Sequence, residues 1–272
     1  MHKRSKLSHK GENGKVLIIG GSDDLVGAPA LAAMSALACM RSGIDLVTVF
    51  APEKPGFVIN SFAPDLIVKK FKDQKFSNKN VLAAIELSET NDVVLIGPGL
   101  GRKKETLAFA KEFVKKCKKP IVIDADAIKA CAGMKFNGAT ILTPHEMEFE
   151  IFSEEKITEK NLAEKKKIVL ETAKKHNCNI LLKGHIDIIS NGKKIALNKT
   201  GNSGMTVGGT GDVLAGLCSA YVSLGMELFD AAKKAAFVNG KIGDELLKEK
   251  GFGFIASDFI EKIPKWTKKI LK

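Results

Sequence analysis

Apolar residues come in short unbroken runs closed by glycine or a polar turn, and the stretches between them repeat with helical spacing. Val16-Leu17-Ile18-Ile19, Leu46-Val47-Thr48-Val49-Phe50, Val93-Val94-Leu95-Ile96, Ile121-Val122-Ile123 and Thr140-Ile141-Leu142 are runs of this kind. Continuous aliphatic and β-branched runs mark strands buried on both faces. The alanine-rich stretch over 28–41 reads as a helix ended by Ser42-Gly43, as do 105–117 and a more polar 158–176. A strand over 179–183 follows. Residues 186–190 and 193–197 read as a hairpin through Asn191-Gly192. Past residue 212 the pattern is helical, over 213–224, 228–247 and from 257 onward. Alternating strands and helices predict an α/β fold with a largely parallel central sheet flanked by helices. No linker, composition break or repeat divides the 272 residues, so one domain over 1–272 is expected.

The pattern also locates chemistry. Polar and glycine residues collect just after the carboxyl ends of the strands: Gly20-Gly21-Ser22, Gly97-Pro98-Gly99-Leu100-Gly101, Asp124 with Asp126, Thr143-Pro144-His145, and Lys183. In open α/β sheets ligands bind at that edge.

Composition narrows the class. Hydrophobic residues make up 44% and aromatics only 6%, so the core must be largely aliphatic. A formal net charge of +12 favours anionic partners. The lysines are dispersed over helix faces, as in Lys165-Lys166-Lys167, and no basic strand is interleaved with aromatics, so no nucleic-acid partner is expected. The five cysteines are odd in number and form no C-x-x-C pair, and three sit in apolar helical patterns. They read as reduced core residues, without a disulfide framework or zinc site. No apolar stretch is long enough to cross a membrane and no signal segment follows the basic start, so a cytoplasmic protein is expected.

The segment over 198–212 is the most informative. It ends in Gly208-Gly209-Thr210-Gly211-Asp212 and opens directly into a helix. Successive glycines let backbone N–H groups converge on an anion, and a helix N-terminus adds partial positive charge at the same point. A carboxylate there repels phosphate but accepts a proton from an attacking hydroxyl, which makes Asp212 the candidate base for phosphoryl transfer. An ordinary glycine-rich loop with Asp212 as a helix cap explains the aspartate but not the density of glycines. The GxxxxGK[ST] phosphate loop is absent. His145 is a candidate through its place at the ligand edge, set against a plain structural role. Glu148 could hold Mg²⁺ indirectly, through water, as could Asp124 and Asp126, although Asp126 also suits a helix cap. For Lys183-Gly184-His185, spacing leaves a nucleotide contact and a plain strand-end turn equally open.

Taken in order, these motifs resemble the ADP- or ATP-dependent NAD(P)H-hydrate dehydratases, a branch of the ribokinase-like superfamily. The resemblance runs through Ile18-Ile19-Gly20-Gly21-Ser22, Gly27-Ala28-Pro29, residues 97–101, Asp124-Ala125-Asp126-Ala127, Thr143-Pro144-His145, Lys183-Gly184, Thr200-Gly201-Asn202, residues 208–212 and Ala256-Ser257-Asp258. It covers nearly the whole chain. It implies a ribokinase-like fold and repair of NADHX or NADPHX, nicotinamide cofactors whose ring has taken up water. The ring hydroxyl is phosphorylated from a nucleotide, then phosphate leaves and the double bond returns. By resemblance Ala28, Gly101, His145 and Asp212 contact the hydrated cofactor. Lys183, Gly184, His185, Ile186, Asp187 and Gly211 contact the adenine nucleotide, with Gly208, Gly209 and Thr210 completing the anion-binding turn. Mg²⁺, ADP as donor (ATP being the other option) and a homo-oligomer, tetrameric or larger, are implied with it.

Some positions depart from the family pattern. Leu25 stands where an aromatic is common, Met147 replaces a glycine, Ser203 replaces a proline, and Thr206-Val207 is an altered pair. Some members carry an N-terminal epimerase domain, and the short stretch before the first strand leads us to expect none here. A ribokinase-like kinase acting on a vitamin precursor would share Asp212 and the anion-binding turn. The Thr143-Pro144-His145 and 97–101 motifs favour the dehydratase.

Overall fold

The computed structural model describes residues 5–23 and 27–271. The strands are β1 (Lys15–Ile19), β2 (Leu46–Pro52), β3 (Ile67–Phe71), β4 (Val93–Ile96), β5 (Ile121–Ile123), β6 (Thr140–Leu142), β7 (Asn179–Leu182), β8 (Asp187–Ser190) and β9 (Ile195–Asn198). They form a 9-stranded sheet in the order β3-β2-β1-β4-β5-β6-β7-β8-β9. From β3 to β7 every pairing is parallel, and β8 and β9 close the far edge as an antiparallel hairpin. The strand order reverses between β1 and β4.

Helices cover both faces. On one lie α1 (Ala28–Arg41), α2 (Glu53–Phe62), α8 (Thr210–Ser223), α9 (Leu228–Lys250) and α10 (Ala256–Ile270). On the other lie α3 (Val81–Glu89), α4 (Lys104–Lys116), α5 (Asp126–Ala130), α6 (Glu146–Ser153) and α7 (Leu162–His176). Successive strand residues feed opposite cores: Val16 and Ile18 pack with α1 and α8, Leu17 and Ile19 with the phenylalanine-rich layer of Phe109 and Phe113. Because both faces are covered, the central strands such as β4 and β5 are apolar throughout.

α1 and α8 carry much of the site's support. Small residues along α1 (Ala32, Ala33, Ala36) let α8 approach closely, and the Ser35 hydroxyl donates to the Asp212 carbonyl at 2.9 Å. All five cysteines are free and buried. Cys39 and Cys218 lie within helices, whereas Cys117 falls just past the end of α4. Among the described residues no helix is long and apolar enough to cross a membrane.

The polar helix starts at Leu162, four residues later than its spacing suggests, because Asn161 caps it by accepting from Ala163 N (2.9 Å) and Glu164 N (3.1 Å). Four helices and a strand add to the expected elements. α2 contains Pro55 and Gly56, which read as breakers, and α3 has no cap signal that sets it off. β3 is an edge strand holding Lys69 and Lys70, and α5 and α6 are too short to show a period. Leu25 lies outside the described residues.

Candidate active site

Asp212 occupies the first turn of α8 and is only 8% exposed. The chain enters this helix through Gly209, whose φ of 95° is left-handed, a conformation glycine adopts at little cost. The turn over 208–211 therefore presents backbone N–H groups at a helix start that no side chain caps. Thr210 steadies it by donating its hydroxyl to the Met205 and Val207 carbonyls (2.8 and 3.1 Å).

Facing Asp212 are groups from the ends of β5, β6 and β7. Asp124, 2% exposed, accepts from the Thr143 hydroxyl (2.7 Å) and from Lys183 Nζ (3.2 Å) on the same oxygen. Lys183 Nζ is also 4.0 Å from Glu148 Oε2. An isolated parallel bridge between His145 and Lys183 carries the β6–β7 pairing past the strand ends and fixes the two backbones side by side.

The electrostatics follow from burial. Asp212 is pushed up to about 7, first by burial and then by the negative charge of Asp124, with Lys183 working the other way. Burial alone would lower the Lys183 ammonium, but Asp124, Glu148 and Asp212 outweigh it and hold it above the usual lysine value. Asp187 is raised by burial, although Asn198 and the Gly184 N–H both oppose the shift.

His145 and Glu148 form a reciprocal cap on α6. His145 N donates to Glu148 Oε2 (3.0 Å) and Glu148 N donates to His145 Nδ1 (3.3 Å). Because Nδ1 accepts, the neutral ring carries its proton on Nε2. Glu148 is thus held by the His145 backbone and faces Lys183. Asp126 is engaged by Arg102 (2.8 Å) and Lys129 (3.2 Å), away from this cluster. Among the described residues no group of three or more His, Cys, Asp or Glu is arranged to hold a metal ion.

A cavity of about 600 Å³ opens beside the cluster. It gathers His145, Lys183, Gly184, His185, Asp187, Thr210 and Gly211, residues scattered through the sequence. Ile186, Gly208 and Gly209 are not among its lining residues. Ala28 and Gly101 lie elsewhere on the same sheet edge, where the strand order reverses. There Gly99 packs so closely on the start of α1 that a Cβ would lie 2.1 Å from the Ala28 carbonyl oxygen, which brings the 97–101 turn against Ala28. The buried hydroxyl of Ser22, 2% exposed and just past the end of β1, has no hydrogen-bond partner among the described residues.

A sequence model of the NAD(P)H-hydrate dehydratase family matches residues 16–265. The chain belongs to that family. It is 41% identical over 260 residues to the bifunctional NAD(P)H-hydrate repair enzyme of Pyrobaculum aerophilum, a match covering 95% of this chain and 51% of that protein. The chain thus spans about half the length of this and similar curated relatives. The ADP-dependent (S)-NAD(P)H-hydrate dehydratase of Nitrosopumilus maritimus is 35% identical over 265 residues, covering 96% of this chain and 90% of that one. The crystal structure of the Bacillus subtilis ADP/ATP-dependent NAD(P)H-hydrate dehydratase, co-crystallized with ATP/Mg²⁺, superposes with a TM-score of 0.84 at 28% identity. That match covers 99% of this chain and 94% of that one. The fold is ribokinase-like.

Within this NAD(P)H-hydrate dehydratase family member, two asparagines at the site escaped the sequence reading, Asn239 in the cavity wall and Asn198 behind Asp187. Asn198 links the hairpin to α9, donating from Nδ2 to Asp187 Oδ2 (2.9 Å) and the Ala236 carbonyl (3.2 Å). Asn239 lines the cavity from α9, its Nδ2 on the Thr210 carbonyl (3.4 Å) and its Oδ1 buried without a partner among the described residues. Asn198 opens the glycine-rich segment, a signal of sorts. Asn239 sits inside a plain helical pattern and carries none.

Proposed function

We propose that this chain restores NADH and NADPH from their hydrates at the expense of ADP, which is converted to AMP and phosphate. The observation that carries the reading is Asp212, a buried carboxylate with raised proton affinity, set on the helix turn that forms an anion site and beside the Lys183 ammonium. The family membership and the ADP-dependent relative support the substrate class. The nine strands joined in one sheet support reading 1–272 as one such domain.

In this mechanism the hydrated cofactor lies along Ala28, Gly101 and His145, and the nucleotide fills the cavity between Lys183, Asp187 and Gly211. Asp212 takes the proton of the ring hydroxyl. The oxygen attacks the terminal phosphorus of ADP, the bridging P–O bond breaks, and AMP leaves with its electron pair. Backbone N–H groups of residues 208–211 and the Lys183 ammonium stabilise charge on the transferring group. The ring's original C–O bond then breaks, phosphate leaves with that oxygen and the bonding pair, and loss of a proton from the adjacent ring carbon to water forms the double bond.

The donor set fits a metal ion held mainly by phosphate oxygens and water. Glu148 and Asp124 face the pocket end, and both are already engaged by Lys183, so neither anchors a preformed metal cage. Mg²⁺ bound in this way would neutralise charge on the phosphoryl group.

The test is recovery of NADH absorbance from hydrated NADH with Mg²⁺ and either ADP or ATP. Recovery that depends on a nucleotide and is abolished by Asp212→Asn is expected. No recovery with either nucleotide would remove the dehydratase reading.

A further inference from the structure

Lys183 feels three acids, and the structure commits it to one side of them. Its ammonium lies at the glycine turn, where a Cβ added to Gly211 would be 3.4 Å from Nζ. Asp212 is the next residue in the chain and lies within the influence of that charge. Yet among the described residues the ion pairs of Lys183 are with Asp124 (3.2 Å) and Glu148 (4.0 Å), not with Asp212. A lysine on its flexible four-carbon stem does not keep such a position by itself. Asp124 holds it, and Thr143 holds Asp124. The Asp124 backbone is fixed by its N–H on the Ile96 carbonyl (3.0 Å) and by Gly97, which packs too closely on the Asp124 carbonyl to admit a Cβ. What remains free is rotation of the carboxylate. Thr143, fully buried just past β6, donates its hydroxyl to Asp124 Oδ1 (2.7 Å), the oxygen that also takes Lys183. Its own backbone is locked by an N–H on the Ile123 carbonyl (3.2 Å), and a β-branched side chain has few rotamers.

An ammonium that turned to Asp212 would pair with the carboxylate proposed as base and favour its charged form, which makes it a weaker proton acceptor. We infer that Thr143 is a positioning residue: its hydroxyl holds Asp124 on the Lys183 ammonium, keeps that ammonium at the glycine turn and off the Asp212 carboxylate, and so leaves the carboxylate free to accept a proton. This inference rests on the reading of Asp212 as the base. The charged groups that act on Asp212 are Asp124 from the end of β5, Lys183 from the end of β7 and Glu148 from α6, which carries the His145 ring beside it. The helices packed on this end of α8 bring neutral groups: Ser35 of α1 on the Asp212 carbonyl, Asn239 of α9 on the Thr210 carbonyl, and Ala256 of α10 against Gly209. Burial keeps the thiols of Cys39 and Cys218 protonated. Release of Asp124 therefore acts on Asp212 through Lys183.

The test is a carbon-13 NMR titration of the aspartate side chains in the full chain without added metal, with the Asp212 signal assigned by its loss in Asp212→Asn. The unmodified chain should show that signal titrating at about 7. Thr143→Val removes the hydroxyl at nearly constant shape, and the Asp212 midpoint should fall by about 1–3 pH units as the ammonium turns to it. Thr143→Ser keeps the hydroxyl and should keep the midpoint. If Thr143→Val does not give a cooperative melting curve, Thr143→Ala removes the hydroxyl without adding bulk. A midpoint that stays or rises when the hydroxyl is removed overturns the inference, since a merely structural threonine would lower stability and leave Asp212 alone. A fall shared by Thr143→Ser also overturns it, because packing and not the hydroxyl would then be responsible. The titration needs no substrate, so it decides the role of Thr143 whether or not hydrated NADH is turned over. Where turnover is found, the acid limb of kcat/KM should move with the midpoint. If Asp212 of the unmodified chain titrates as an ordinary aspartate, its reading as a poised base and this role of Thr143 fall together.

Discussion

Lys183 Nζ stands 3.2 Å from Asp124 Oδ1, and this pair joins the end of β7 to the end of β5 across the intervening β6. The ammonium has two further carboxylates within its influence, Glu148 and Asp212. Replacing it by an apolar chain of similar length leaves three buried acids without their counter-charge. Lys183→Met should therefore lower stability by about 1–3 kcal/mol, less than a fully buried pair, because the Lys183 side chain is 23% exposed. The Lys183 pKa is raised, so its contribution is fully present below the ordinary lysine value of ~10.4 and is lost only as pH rises through the folded value. Urea unfolding at pH 8 is the measurement. Unchanged stability there would mean that the pair is energetically idle.

As the proposed base, Asp212 should set the pH range of activity through its proton affinity. With its pKa raised to about 7, the carboxylate is half protonated near neutrality, and the fraction able to act as a base shrinks below it. The ratio kcat/KM should fall about tenfold per pH unit below about 7. A profile that stays flat down to pH 5 would rule out Asp212 as the base with this environment.

The same shift has an opposite effect on stability. A carboxylate with a raised pKa holds its proton more tightly in the folded chain than in the unfolded one. Between the ordinary aspartate value of ~3.9 and about 7 the folded state carries the extra proton, so stability falls as pH rises through that window. Asp212→Asn removes the charge that burial penalises. It should raise stability at pH 8 by on the order of 1–3 kcal/mol, have little effect at pH 4, and abolish turnover while nucleotide still binds. Thermal melts at the two pH values, set beside a binding titration, check all three expectations.

How much of this was legible depended on what each residue does locally. The buried strands announced themselves because a strand covered on both faces must be apolar at every position, as in residues 16–19 and 93–96. The glycine turn before Asp212 was legible because a left-handed φ at Gly209 leaves a mark in composition. The exposed edge strand β3 was not, since Lys69 and Lys70 obscure its period. Nor could spacing rank Asp124 against Asp126. Both follow β5, yet one turns inward to Lys183 and Thr143 while the other meets Arg102 at its more exposed side. Ala125, between them with φ 49°, sets that divergence, and its alanine gives no hint of such a backbone. The contacts of Asn198 and Asn239 arise only once α9 packs beside the hairpin and the start of α8.

The glycine turn before Asp212 offers a paired test of backbone against space. At Gly209 a φ of 95° disfavours any side chain, and an added Cβ would lie 2.8 Å from the Ala256 Cβ at the start of α10. Gly209→Ala should cost about 1–2 kcal/mol from the backbone alone, plus whatever displacement of α10 is needed to clear the contact. Gly208 has no positive φ, and nothing lies within 4 Å of its added Cβ. Gly208→Ala should therefore leave stability within about 0.5 kcal/mol. Its methyl group would instead point into open space at an exposed position, so any loss should fall on affinity for the nucleotide proposed to bind at this turn. Urea unfolding and ADP titration on both variants separate the effects. Equal destabilisation by the two changes would show that the turn does not depend on the left-handed residue at 209.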